Sequence, residues 1–202
     1  MRTLVLLAVA AVVAGCARAE EEPVVVPEVP QIGTTAPASG ARERPVPQTC
    51  GELATSEDVG TIIGTLITGE PQPVVGVPQE SIGRTARLDC YYGLPAGKPL
   101  SAAIVWIGVA SYTDEASAQG RVTATITGER DVGARVNEVP VGQGRGVLLR
   151  GQTWMLVAMR GSTTVVVSVR PDLVREDRAG AILGQLADKA LTPREPAPTT
   201  TG

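Results

Sequence analysis

Three hydrophobic patterns follow one another along the chain. Residues 4–13 are an unbroken apolar run; residues 17–48 show neither a helical nor a strand period; and from about Cys50 to Thr192 short periodic segments alternate with turns. Thr55 followed by Asp58 is a loose capping box. Val59, Ile62, Ile63 and Leu66 then recur at i, i+3, i+4 and i+7, predicting a first helix that Gly64 or Gly69 ends. A loop rich in Pro and Gly covers 70–83, and 87–92 reads as a strand. Residues 102–112 are apolar at both alternating sets of positions, the pattern of a central strand. Thr113-Asp114-Glu115 opens a second helix that runs to about Ile126 and stops at Gly128. A strand over 135–139 precedes three more, over 146–150, 153–160 and 163–170. Gly151-Gln152 and Gly161-Ser162 join these three as hairpin turns with Gly first. Pro171 and Asp172 open a last helix with the stripe Ala179, Ile182, Leu183, Leu186, Ala190. The predicted order is α-β-β-α-β-β-β-β-α. It implies an α+β, two-layer domain, with a mostly antiparallel sheet and helices packed on one face.

The N-terminal run follows Met1-Arg2 and is too short to span a bilayer, which takes roughly 20 apolar residues. A positive head and a short apolar run are the layout of a secretory signal. The run ends Val13-Ala14-Gly15-Cys16, which resembles the lipobox of bacterial lipoproteins. That resemblance implies cleavage before Cys16 and a diacylglyceryl group on its sulfur, an anchor to the outer face of the membrane. The alternative is ordinary secretion, with cleavage after Ala19 in Ala17-Arg18-Ala19. Residues 1–15 thus read as the signal peptide and 16–48 as a disordered Pro-rich tether. Residues 49–192 form one domain, and 193–202 a disordered tail.

Composition narrows the function more than it identifies it. The net charge is −3 and spread out, so there is no basic footprint for nucleic acid. The Ala, Gly, Val and Arg bias is that of a high-GC bacterial genome. Oligomeric state is not legible. Three Cys resolve into one for lipid, Cys16, and a pair, Cys50 and Cys90. Outside the cytoplasm such a pair is ordinarily a disulfide, the alternative being two separate buried thiols. His is absent, so Ser-His-Asp and Cys-His mechanisms are excluded as usually built, and zinc and copper lack their commonest ligand. A Ser-Lys mechanism would need Lys98 or Lys189 with its pKa lowered by burial. Gly142, Gly144 and Gly146 precede a strand rather than a helix, so they read as a loop and not a phosphate cradle. Asp172, Glu176 and Asp177 could attract a cation such as Ca²⁺, but acids at a helix start ordinarily serve its dipole. No metal or cofactor is expected. Phe is absent, and the aromatics are two Trp and three Tyr. Strand aromatics usually belong to a core; Tyr91, Tyr92 and Trp154 are the first candidates for a binding surface.

Beyond the lipobox and tether, Thr49-Cys50-Gly51-Glu52-Leu53 leads into Ser56-Glu57-Asp58-Val59 and Ile62-Ile63-Gly64, and a second Cys lies within Leu88-Asp89-Cys90-Tyr91-Tyr92. This resembles the actinobacterial lipoproteins grouped as domain of unknown function 3558, with Thr49 where those often carry Pro. The resemblance implies a Cys50–Cys90 disulfide, an α+β domain, a cell-envelope location and no particular activity. The expectation is a non-catalytic lipoprotein that binds an envelope protein or wall component. A carrier of a lipid or small apolar ligand is the alternative, motivated by an aliphatic, Phe-free core with room for a cavity between sheet and helices.

Overall fold

The computed structural model describes residues 45–192. The expected signal peptide (1–15), Cys16, nearly all of the expected tether (16–48) and the expected tail (193–202) lie outside the described residues. Thr49 caps a single helical turn, α1 (Cys50–Leu53), by accepting the Glu52 N–H. Thr55 and Asp58 form the expected capping box of α2 (Ser56–Ile63), which Gly64 ends in the left-handed conformation. Strands β1 (Gln72–Gly76), β2 (Arg84–Tyr92) and β3 (Val105–Tyr112) follow. Asp114 caps α3 (Glu115–Asp131) by accepting the Ser117 N–H at 2.7 Å. Strands β4 (Arg135–Val141), β5 (Gly144–Arg150), β6 (Trp154–Arg160) and β7 (Thr163–Val169) lead to α4 (Glu176–Leu191).

The seven strands form one sheet in the order β1-β2-β3-β7-β6-β5-β4, and every adjacent pair is antiparallel. The α3 crossover carries the chain from β3 to the far edge. The β4–β7 meander then returns strand by strand until β7 pairs with β3. Strand β1 lies where the sequence predicts only loop. Its Pro73 lacks a donor, which an edge strand tolerates because one side has no partner to accept it.

Helices packed on one face is not what forms: they lie on both. Apolar side chains of α1, α2 and α4 meet Leu88, Cys90 and Tyr92 of β2, Ile107 and Val109 of β3, and Val165 and Val167 of β7 in the main core. On the other face, Val122 and Ile126 of α3 pack on Val147, Leu149 and Val157. The reason is in the strands. Three consecutive residues, Val147 to Leu149, are buried, and alternation sends neighbours to opposite faces, so each face needs a cover. Helix α3 covers only part of its face. It packs on β3 to β7 and leaves the β1–β2 end open.

Two ties hold the first helices to the sheet. Cys50 and Cys90 are joined in a disulfide that fixes α1 to β2. Two residues along β2, the buried Tyr92 hydroxyl donates to the Ala54 carbonyl at 3.0 Å. At the other end of the core, α4 lies close on β4. A Cβ on Gly184 would overlap the Pro140 carbonyl oxygen, so only glycine admits that approach.

Candidate functional site: the open half of the sheet

Alternation along β2 divides its side chains in two. Leu88, Cys90 and Tyr92 enter the main core, while Arg87, Asp89 and Tyr91 stand on the face that α3 only partly covers. Register places Asp89 opposite Gly108 of β3 and Tyr91 opposite Trp106. The Arg87 guanidinium grips the Asp89 carboxylate twice, Nε to Oδ2 at 2.7 Å and Nη2 to Oδ1 at 3.1 Å. The Trp106 indole Nε1 donates to the same Oδ1 at 3.1 Å. Asp89 is only 5% exposed, so its charge depends on these donors. Burial works against the Arg87 charge, but the hydrogen bond and the charge of Asp89 outweigh it and hold Arg87 above its ordinary value. Burial, with the Asp89 charge behind it, pushes the Tyr91 hydroxyl up, against the opposing pull of Arg87.

Gly108 makes this arrangement possible. A Cβ there would overlap Asp89 Oδ1 and stand 3.2 Å from Trp106 Cζ2 and 3.4 Å from its Cε2. The indole therefore reclines along β3 into the space of the missing side chain. Tyr91 lies beside it with ring centroids 6.2 Å apart and planes 14° from parallel. Between this surface and α3 runs a cleft of about 200 Å³. Trp106, Tyr112, Arg87 and Asp89 line its sheet side and Arg121, Thr125 and Glu129 its helix side, over a floor that includes Met155, Val157 and Val166.

The three aromatics singled out by sequence do not form one surface. Tyr91 belongs to the cluster. Tyr92 is wholly buried on the opposite face, and Trp154 is half-buried against the main core on that same side. Trp106, which the strand pattern assigns to a core, lines the cleft instead, while Tyr112 borders the cleft but is buried with Ala110 and Ala118 in a small core of its own. Asp172, Glu176 and Asp177 are exposed and each pairs with an arginine: Arg170, Arg135 and Arg175. Lys189 pairs with Asp58 at 3.1 Å, linking α4 to the start of α2, and Lys98 is exposed in its loop. Gly142 sits in the tight turn between β4 and β5. A larger space of about 510 Å³ is an open surface groove between α2 and α4, bordered by Asp58, Asp188 and Lys189, and not a chamber in the core.

No protein-family model matches the chain, so the resemblance to domain of unknown function 3558 gains no support there. Comparison with curated proteins finds no match. Among solved structures, the chain is similar to the extracellular domain of PknH from Mycobacterium tuberculosis. The two are 14% identical with a TM-score of 0.48, over 75% of this chain and 98% of that one. That is a loose likeness, and nothing about function is carried across from it.

Proposed function

We propose that this chain is an exported, non-catalytic binding module of the cell envelope, and that its ligand seats in the cleft beside Trp106. One observation carries the reading. Two of the five aromatics in the chain, Tyr91 and Trp106, gather with the part-buried Arg87–Asp89 pair at the edge of the sheet that α3 leaves uncovered. Aromatic side chains dominate recognition energetics, and an aromatic surface at a cleft suits binding better than packing. Asp89 already accepts from Arg87 and Trp106, which fits a structural and recognition role better than proton transfer. The expected lipid on Cys16 would hold the domain at the outer face of the membrane, with residues 16–48 as the spacer. Among the described residues these two clefts both open to the surface, which suits a docked ligand better than an enclosed lipid.

The test is photocrosslinking in cells. A photoreactive residue at Thr125, on the cleft, is compared with one at Gln185, exposed on α4. A reproducible adduct from the first position only is expected; no adduct, or equal adducts from both, would count against the cleft. For the anchor, wild type should take up labelled fatty acid and Cys16→Ala should not. A wild type that stays unlabelled and is released after Ala19 overturns it.

A further inference from the structure

The cleft has a definite chemistry, and we infer that its ligand is an uncharged sugar ring stacked on the Trp106 indole, a deepening that rests on the binding reading above. The platform is built before any ligand arrives. Hydrogen-bonded through Nε1 to Asp89 and reclining over Gly108, the indole cannot tip away from the sheet. Tyr91 extends it sideways in a nearly parallel plane. A plate fixed in this way loses little freedom on binding. Its surroundings are polar and balanced in charge. Arg87 and Asp89 neutralise each other, and Arg121 and Glu129, two helical turns apart on α3, stand at the cleft's helix side. With two cations and two anions around it, the cleft gives no net attraction to a phosphate or to an ammonium ion. It offers donors and acceptors side by side, next to an apolar plate. A pyranose presents the complement, a C–H face for the plate and a rim of hydroxyls for the charged groups. The volume agrees. About 200 Å³ is below the roughly 300 Å³ at which drug-sized ligands begin, and holds one ring. The open β1–β2 side leaves room for further sugar units to continue along the sheet.

The experiment uses the full chain, purified in detergent with Trp154→Phe so that Trp106 is the one tryptophan, excited selectively at the red edge of its absorption. Chitotriose, maltotriose and cellotriose are titrated, with inorganic phosphate and choline as charged counter-probes. At least one trisaccharide should shift the emission saturably and show saturation transfer from its ring protons. Trp106→Ala should abolish the response. Arg121→Ala, on the exposed side of α3, should keep the wild-type melting profile and weaken binding roughly tenfold, the loss of one charged hydrogen bond. This second variant decides the matter if Trp106→Ala does not fold. Response to none of the sugars, response only to phosphate or choline, or a sugar response unchanged in Arg121→Ala overturns the proposal. Should the sugars fail while the Thr125 crosslink still captures an envelope protein, the binding module stands and the sugar ligand falls. Should both fail, so does the assignment of the cleft.

Discussion

Gly108→Ala tests the geometry of the cluster through the sign of its effect. On backbone grounds alone the change should help, because Gly within a strand costs about 0.5–1 kcal/mol relative to Ala. Gly108 has no positive φ, so Ala meets no conformational barrier there. The added Cβ would instead overlap Asp89 Oδ1, the oxygen that receives both Arg87 Nη2 and Trp106 Nε1. Asp89 has nowhere to swing without leaving donors behind in a site that is only 5% exposed. A hydrogen bond to a charged group is worth about 1.5–3 kcal/mol, and Arg87, itself part-exposed, can follow the carboxylate. Losing the indole bond while gaining the backbone term leaves a net destabilisation of about 1–2 kcal/mol, or about 3–6 °C in Tm for a domain of this size. Thermal and urea denaturation followed by circular dichroism measure it. In the Trp154→Phe background, Trp106 emission should also move to the red as the indole loosens. A variant as stable as wild type or more so, with unchanged emission, would refute the placement of Asp89 and Trp106.

The same contrast of sign applies on α4, where Gly184→Ala should cost about 1–3 kcal/mol against the Pro140 carbonyl despite a gain in helix propensity; Gly120→Ala on α3, with open space around it, should gain up to about 1 kcal/mol in the same urea titration. Replacing both Cys50 and Cys90 by Ala releases a sequence separation of 40, for which loop entropy gives about 3–4 kcal/mol; a shift in the urea midpoint worth less than about 1 kcal/mol would count against the cross-link as a main support. At Asp58, burial alone would raise the pKa, but the Thr55 N–H, the Lys189 ammonium and the Thr55 hydroxyl together lower it to about 2 from 3.8. A depressed folded pKa stabilises above the ordinary value and loses that effect as pH falls through the folded one, so about 1–2 kcal/mol, allowing for solvent screening of a side chain 26% exposed, should disappear between pH 4 and pH 2. The stability difference between wild type and Asp58→Asn should narrow over that interval, and a difference constant with pH would contradict the pairing.

Most of the elements were legible because their patterns are long. The β5–β7 meander, the α4 stripe and the Thr55–Asp58 box all form where spacing puts them. What failed to read from sequence depended on neighbours. Strand β1 is five residues with a proline, and it is a strand only because β2 offers it an edge. Helix α3 runs past Gly128 to Asp131 on a thin stripe of Ala118, Val122 and Ile126, too sparse among its threonines to mark its end. Its side of the sheet was a topological matter. Strands apolar on both faces announce that both need covering, but not which helix covers which.

For the cleft, half of the signal was present. Arg87, Asp89 and Tyr91 alternate with Leu88, Cys90 and Tyr92, so adjacent tyrosines had to part to opposite faces. Alternation says nothing about whether a face is covered, and Trp106 reads as core until α3 is seen to stop short of β2. The Arg87–Asp89 pair, part-exposed on its Arg87 side, is not accounted for by stability alone. Apolar residues of similar volume commonly hold a buried position as well as an ion pair does, or better, because two charges must be stripped of water to be placed there. Here the pair sits where the sheet is left open, with one carboxylate oxygen orienting the indole and the guanidinium reaching the cleft. A core needs neither function. A recognition site needs both, a plate fixed in one orientation and polar groups fixed beside it.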